Sequence, residues 1–291
     1  MKKKLYALLA LAAIVLISHF ILKSPYLEVS HIVEFDVPEI SGAVSSLPWA
    51  DKGDFLKAQK DIDAPVLMAA YCTVFDDPLP SEEFNVHLAA DSIAGAIVEP
   101  NEVFSQNNTI GPYDEHKGYK PGQSYSGSEI IDTIGGGVCK MATTLYNVSV
   151  ASNLVIVERY NHFMPVSYVP YGQDATVSYG SKDLKFKNNT EFPILIWAEG
   201  IGNRLYMGFY GKMKPPKVEW NHKVLNKIGA PKVYETNPSL PKSEERILVK
   251  GMPGAKIESW VVIIDSEGKT ETKYMGISQY WPMPYIIEKN E

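Results

Sequence analysis

A cysteine that follows three glycines is the side chain of this sequence best suited to covalent chemistry. Residues 135–139 read GGGVC, and Met141, Leu145 and Val148 then recur at the spacing of one helical face. This pattern predicts that Cys139 lies at a helix N-terminus, where the helix dipole favours a thiolate over a thiol. Glycine lets the backbone approach a ligand, and the free N–H groups of a first helical turn can donate to an oxyanion. The segment is typical of a nucleophilic cysteine, although a small buried thiol after a tight turn would use the same residues.

The N-terminal segment indicates a membrane anchor. Three lysines at positions 2–4 precede an apolar run at residues 5–22. About 20 apolar residues can cross a bilayer as a helix, and the preceding lysines predict an N-terminus inside the cell. A cleaved signal peptide is the competing interpretation, but residues 18–24 offer no convincing cleavage site. We therefore expect residues 1–23 to be a single-pass anchor in the cell membrane, with the rest of the chain on its extracellular side.

The composition argues against nucleic-acid and cofactor partners. The chain of 291 residues carries a formal net charge of −6 and has no basic tract. It has no cluster with metal-ligand spacing and no nucleotide-binding loop, so we expect no metal and no cofactor. Its two cysteines are too few for a disulfide framework, but Cys72 and Cys139 could form one bridge in an oxidising compartment. Cys72 lies in the apolar segment 69–75, which is typical of a buried strand, and we expect it to be a core thiol.

Periodicity predicts a mixed α+β domain at residues 67–214, preceded by a stalk and lead-in at 24–66. A helix begins near Pro80 and carries an apolar stripe that continues to Ile97. After the cysteine helix, short apolar segments bounded by turn residues predict strands at 154–158, 175–179, 193–198 and 204–210. We expect the helix that carries the cysteine at its N-terminus to pack on an antiparallel sheet.

The sequence KPPK at 214–217 indicates a boundary, and residues 215–291 predict a small all-β module. The polar turn at 265–269 separates two strands of a predicted hairpin. Aromatic residues cluster at 280–285, where they could contact glycan or form the core of the module.

Motifs between residues 104 and 211 resemble those of the VanW family of bacterial envelope proteins, in the family's order and spacing. The matching pieces are FSQN at 104–107, IGP at 110–112, KGY at 117–119, the glycine–cysteine segment with TTLYN at 143–147, ERYNH at 158–162, YVP at 168–170, DATV at 174–177 and DLKFKNN at 183–189. Weaker similarity extends back to about residue 67.

The resemblance implies partners for Cys139. A cysteine nucleophile needs a base, and the base needs an orienting acid. His162 follows the predicted strand 154–158 and matches the family's arginine–x–x–histidine with Arg159. Asp174 stands at a family position and is the predicted third member, with Asp183 as the alternative. A lone histidine is more often structural than catalytic, so a structural role for His162 stays open.

Backbone and side-chain groups near the cysteine are the predicted substrate contacts. The N–H groups of Gly136, Gly137 and Val138 are candidate oxyanion donors. Arg159 could bind a substrate carboxylate through its planar fork, or tie down a neighbouring acid. Thr143 could line the pocket, or bond back to the helix backbone.

Three residues near the predicted site depart from the family pattern. Lys140 replaces a glutamine after the cysteine, Ala142 replaces a serine, and Phe163 replaces a serine after His162. Lys140 could favour the thiolate further, or it could remove an amide that helps to hold the site.

By resemblance, the function is that of a peptidoglycan L,D-transpeptidase. Cys139 would attack the carbonyl of the third stem-peptide residue and expel the terminal D-alanine, and the amine of a neighbouring stem would complete a 3–3 cross-link. The expected partners are peptidoglycan stem peptides and, through the N-terminal helix, the membrane. Two alternatives remain: a stem-peptide hydrolase, which ends in water, and a non-catalytic wall-binding scaffold with a buried or bridged Cys139.

Overall fold

Before residue 215, helices are interspersed among the strands. The computed structural model describes residues 35–290 apart from 77, 79, 127 and 128. The helices are α1 (Gly53–Asp61), α2 (Pro80–Ile93), α3 (Gln106–Ile110) and α4 (Cys139–Ala151). The strands are β1 (Gly42–Ala43), β2 (Val66–Val74), β3 (Ile97–Val98), β4 (Val103–Ser105), β5 (Pro121–Ser126), β6 (Glu129–Ile134), β7 (Val155–Glu158), β8 (Lys185–Lys187), β9 (Ile194–Ile201) and β10 (Arg204–Gly211).

The main sheet has five antiparallel strands in the order β1-β2-β10-β9-β3. Helices α2 and α4 pack on one face of this sheet, and α1 packs on the other. Because both faces are covered, β2, β9 and β10 are apolar along nearly their whole length. The fold is therefore mixed α+β, as the sequence predicts.

The segment before the main sheet also packs into the core. Residues 24–66 are predicted to be a stalk, but Trp49 and Phe55 are buried against Trp197 and Tyr210 of the sheet. Trp49 Nε1 donates to the hydroxyl of Tyr210 over 2.8 Å. From Phe35 onwards these residues therefore form part of one compact unit with the rest of the described chain.

Side-chain alternation along β2 separates the two cysteines. Tyr71 and Thr73 face α4, and Thr73 bonds to Thr144 over 2.6 Å. Cys72 points to the opposite face, among the residues around Trp49. Both cysteines are free thiols, and Cys72 is a buried core residue as expected.

Two predicted elements differ from those observed: the end of one helix and one strand. Helix α2 ends at Ile93, before the predicted end, because Gly95 adopts a positive φ of 88° and Ile97 starts β3. The predicted strand at 175–179 makes only isolated bridges. Its backbone is bonded to α4 instead, since Ala175 N donates to Thr143 Oγ1 and Val177 O lies 3.7 Å from the thiol of Cys139.

The C-terminal residues form two three-stranded sheets. The strands are β11 (Lys217–Ile228), β12 (Lys232–Thr236), β13 (Glu245–Val249), β14 (Gly254–Ile264), β15 (Thr270–Tyr280) and β16 (Tyr285–Lys289). One sheet has the order β11-β14-β15, and the other has the order β12-β16-β13 with β12 parallel to β16. The polar turn at 265–269 joins β14 to β15, as the sequence predicts.

The predicted localisation in the cell membrane through a single-pass anchor is contradicted. Across residues 35–290, outside the gaps, no helix is both long and apolar enough to cross a bilayer. The segment 1–23, on which the prediction rests, lies outside the described residues.

A buried asparagine on α2 holds the turn before the cysteine. Asn85 is fully buried, and its Nδ2 donates to the carbonyls of Lys120 (2.8 Å) and Gly136 (2.9 Å). Its Oδ1 accepts the backbone N–H of Lys120 over 2.8 Å. Asn85 therefore joins both ends of the β5–β6 hairpin to α2 and fixes the chain that leads into α4.

We expect Asn85→Leu to lower the free energy of unfolding by about 3 kcal/mol, because it leaves buried backbone groups at Lys120 and Gly136 without partners. Chemical denaturation monitored by circular dichroism measures this change. Ser92→Ala on the exposed side of the same helix is the control, and it should change stability by less than about 0.5 kcal/mol. Equal effects of the two substitutions would contradict the structural role of Asn85.

Candidate active site

A cleft of about 630 Å³ opens beside the first residue of α4. Cys139 lies in its wall between Gly137 and Lys140, and His162 and Tyr168 line it as well. The loop at 176–182 contributes further lining residues. Cys139 is half-buried, so its thiol is sheltered but reaches the cleft.

The glycines before Cys139 fit a turn that larger residues could not form. Gly135 and Gly137 have positive φ values of 79° and 100°. A Cβ atom at Gly135 would lie 2.7 Å from Cβ of Tyr113, and one at Gly137 would lie 2.7 Å from Cγ of Glu82. Both positions need glycine for conformation and for space, and the turn places the start of α4 against the cleft.

His162 and Asp174 form a buried pair at the side of the cleft. Asp174 Oδ2 lies 2.6 Å from His162 Nδ1 and accepts the backbone N–H of His162 over 2.7 Å. Because a carboxylate only accepts, Nδ1 carries a proton, and Nε2 is left as the nitrogen available to the thiol. His162 and Cys139 share a hydrogen bond. The structure therefore brings Cys139, His162 and Asp174 together in the order that the resemblance implies.

The environment of these groups stabilises their charged forms. Burial alone would raise the pKa of Cys139, but the hydrogen bond and charge of His162 outweigh it and lower this pKa to about 7. Burial opposes the charged form of His162 too, but its bonds to Asp174 and Cys139 raise the pKa to about 9. Although burial disfavours its carboxylate, bonding to His162 lowers the pKa of Asp174 to about 2. The thiol and the imidazole therefore favour a thiolate–imidazolium pair at neutral pH.

Arg159 and Thr143 support the site from behind rather than from the cleft. Arg159 makes two hydrogen bonds to Asp174. Its Nε donates to the backbone carbonyl of Asp174 over 2.7 Å, and its Nη2 donates to Oδ1 of Asp174 over 2.9 Å. Thr143 Oγ1 accepts the N–H of Ala175 and donates to its carbonyl. Among the residues that the structure describes, neither side chain lines the cleft. Of the two roles left open for Arg159, the geometry matches the one in which it ties down an acid.

Two of the three candidate oxyanion donors have partners within the turn. The N–H of Gly136 donates to Thr133 O over 3.0 Å, and that of Val138 donates to Gly135 O over 3.2 Å. Gly137 is the member of the three that lines the cleft.

Asp183, the alternative acid, lies in a different environment. Its carboxylate accepts from the hydroxyl of Ser105 (2.5 Å) and from the backbone N–H of Asn107 (3.0 Å) at the start of α3. Asp183 therefore accepts hydrogen bonds at the start of α3, and the acid that contacts His162 is Asp174.

Lys140, which departs from the family pattern, forms an ion pair in the wall of the cleft. Its partner is Glu82 at the start of α2, and both side chains are largely buried. The ammonium also lies 5.2 Å from the centre of the Tyr168 ring. The charge of Lys140 is therefore matched by a carboxylate. Phe163, the departure after His162, stacks on Trp281 with ring centres 6.1 Å apart.

Three residues could not be assigned to the site from the sequence. They are Glu82, Asn85 and Tyr280, whose hydroxyl donates to Asp174 Oδ1. Each makes its contact with a residue far away in the chain, and none stands in a motif with Cys139. The acidic residues in the first turn of α2 indicate only the start of a helix.

Comparisons with known proteins agree with the motifs. The family model for VanW like protein matches residues 81–210. YoaR of Bacillus subtilis, whose function is uncharacterized, is 38% identical over 143 residues, which are 49% of this chain and 47% of YoaR. The vancomycin B-type resistance protein VanW of Enterococcus faecalis is 34% identical over 120 residues, 40% of this chain and 44% of that one. The matches thus span about half the length of each curated relative.

Two solved structures align with about a quarter of the chain. The G5 domain of IgA1 protease is 22% identical, covers 26% of this chain and 92% of that chain, and has a TM-score of 0.17. HP0197-G5 is 17% identical, covers 25% of this chain and 97% of the solved chain, and has a TM-score of 0.15. TM-scores this low do not establish a shared fold.

The matched residues 81–210 are therefore a VanW domain. This domain contains Cys139, His162 and Asp174, whereas Tyr280 lies beyond its end.

Alkylation of Cys139 by iodoacetamide is expected to titrate with a midpoint near pH 7, because His162 lowers the pKa of the thiol to about 7 from its ordinary 9.0. His162→Gln removes the positive charge and leaves burial opposed only by the hydrogen bonds of Thr176 and Val177, so the midpoint should move up toward 9.0. At pH 7 a midpoint at 9.0 would slow alkylation by about fiftyfold. Mass spectrometry of the peptide that contains Cys139 measures the rate.

Cys72→Ala is the control for this titration. Burial raises the pKa of Cys72 to about 12, so its removal should leave the alkylation of Cys139 unchanged. A wild-type midpoint near 9.0, or one that His162→Gln does not move, would show that the two side chains are not coupled.

Proposed function

We propose that this protein is a cysteine-dependent acyltransferase of peptidoglycan, an L,D-transpeptidase that forms 3–3 cross-links. The observation that carries the proposal is the hydrogen-bonded series Asp174, His162 and Cys139 beside the cleft. A thiol whose pKa is lowered to about 7 is a nucleophile at neutral pH, and an adjacent imidazole can move the protons that amide exchange requires. The likeness to a protein named for vancomycin B-type resistance supports a role at the cell envelope.

The first half of the proposed reaction makes a thioester. The Cys139 thiolate attacks the carbonyl carbon of the third stem-peptide residue, and a carbon–sulfur bond forms. The amide bond to the terminal D-alanine breaks, and the imidazolium of His162 gives its proton to the departing amine. Asp174 keeps the ring oriented and stabilises its charged form.

The second half transfers the acyl group to an amine. The side-chain amine of a neighbouring stem attacks the thioester, its carbon–nitrogen bond forms, and the carbon–sulfur bond breaks. His162 takes the proton that this amine loses, which restores the thiolate–imidazolium pair. One amide bond replaces another, so the exchange needs no nucleotide.

Donors for the intermediate oxyanion are available near the thiol. The N–H groups of Gly136 and Val138 are occupied in the turn, so we assign this role to the backbone at Gly137 and Cys139, where α4 begins. The hydroxyl of Thr176, 3.3 Å from Sγ of Cys139, is a further polar group at this position. The helix dipole adds a favourable field for negative charge.

The walls of the cleft fit a charged peptide. Asp114 and Lys182 carry opposite charges there, beside hydroxyl groups such as that of Ser181. A stem peptide carries both amines and carboxylates, so groups of both signs are suitable partners. The scaffold alternative requires a buried or bridged Cys139, and it is disfavoured by a free thiol that borders a cleft.

Incubation of the full-length chain with purified disaccharide-tetrapeptide tests the proposal, with products identified by mass spectrometry. We expect a cross-linked dimer that has lost one D-alanine. Cys139→Ala should abolish this product, because it removes the thiol that forms the thioester. Cys72→Ala, which removes a thiol from the opposite face of the sheet, should retain it.

Each other outcome assigns a different function. Tripeptide without dimer would identify a hydrolase that uses the same nucleophile. Unchanged tetrapeptide, together with a Cys139 that resists alkylation in the folded chain, would refute both enzymes and leave the scaffold.

A further inference from the structure

A tyrosine from the C-terminal strands holds the carboxylate that orients His162. Tyr280, the last residue of β15, is 1% exposed. Its hydroxyl donates to Asp174 Oδ1 over 2.5 Å and accepts the backbone N–H of Gly172 over 2.8 Å. Arg159 Nη2 donates to the same carboxylate oxygen over 2.9 Å. Oδ1 is thereby fixed by two donors, and Oδ2 is left to His162.

The same strand also holds the arginine. Ser278 lies two residues before Tyr280, so both side chains point to one face of β15. Its Oγ accepts from Arg159 Nη1 over 2.8 Å. The end of β15 bonds to the segment around His162 as well, since Asn161 Nδ2 donates to Gln279 O over 2.9 Å. Both donors to Asp174 Oδ1 therefore depend on the position of β15.

We propose that Tyr280 is a positioning residue of the active site, and that the His162–Asp174 pair is correctly oriented only when β15 is docked against it. The proposal rests on the proposed function in that it takes Cys139 and His162 as the reacting groups. Tyr280 acts through its hydrogen bond to Asp174. With two donors on Oδ1 the carboxyl group cannot rotate, so Oδ2 stays aimed at His162 Nδ1.

The loss of the Tyr280 hydroxyl should reach the thiol through two hydrogen bonds. The titratable groups that act on Asp174 and Cys139 are His162, Arg159, Tyr113, Tyr146 and Tyr280. Tyr280→Phe keeps all the others and the ring that stacks on Tyr171. A carboxylate that has lost one of its two Oδ1 donors is held less firmly and stabilises the imidazolium less, and a less stable imidazolium stabilises the thiolate less.

The pH dependence of Cys139 alkylation in the full-length chain tests the proposal. We expect Tyr280→Phe to move the midpoint up by about half to one pH unit and to slow alkylation at pH 6 by about three- to tenfold. Tyr171→Phe is the matched control. This substitution also removes a tyrosine hydroxyl, which donates to the carbonyl of Pro253 among the C-terminal strands. It should leave the midpoint unchanged.

Thermal unfolding of each variant separates a local effect from a loss of fold. If Tyr280→Phe is unfolded at the assay temperature, Ser278→Ala replaces it, and the same upward shift is expected because Arg159 loses its anchor. An unchanged or lower midpoint in the folded variant overturns the proposal. Because the assay reads the thiolate rather than a product, it gives this answer even if the chain forms no cross-links.

Discussion

The structure around the candidate site depends on one buried carboxylate. Asp174 is almost fully buried, and both of its oxygens are bonded to donors from other segments. Oδ1 faces Arg159 and Tyr280, and Oδ2 faces the backbone and the ring of His162. An isolated charge at this depth would be strongly unfavourable, so the fold has to bring these donors together for Asp174 to stay ionised. The same contacts that solvate the carboxylate therefore fix the imidazole beside Cys139.

The thiol is placed by a different part of the fold. A sheet covered on both faces provides a rigid base for α4, and Thr73 and Thr144 bond across that contact. The glycine turn before α4 is tied to α2 by Asn85. Cys139 thus arrives from the helix layer, whereas His162 and Asp174 arrive from the loops that β15 contacts. Their convergence at one cleft is a property of the tertiary structure rather than of either segment.

Features that depend on neighbouring residues could be predicted from the sequence. The GGGVC segment and the periodicity after it predict a helix at Cys139, and the apolar segments predict β9 and β10. The order of the family motifs predicts His162 and Asp174 as partners of Cys139. The partner of Asn85 lies 51 residues away and that of Tyr280 lies 106 residues away, and no local pattern specifies either pairing. The segment 175–179 has the composition of a strand, but it makes only isolated bridges, and the N–H of Ala175 donates to Thr143 of α4.

The pKa values of the three groups define one pH range in which the site is both stable and reactive. Asp174, whose pKa is lowered from 3.8 to about 2, contributes stability above 3.8, and this is lost as the pH falls toward 2. His162, raised from 6.5 to about 9, contributes stability below 6.5, and this is lost as the pH rises through 9. Cys139, lowered from 9.0 to about 7, favours the folded state increasingly as the pH rises above 7. Carboxylate, imidazolium and thiolate therefore coexist between about pH 7 and 9. The proposed acyl transfer through Cys139 would need that combination, with the thiolate as nucleophile and the imidazolium as the proton donor to the departing amine.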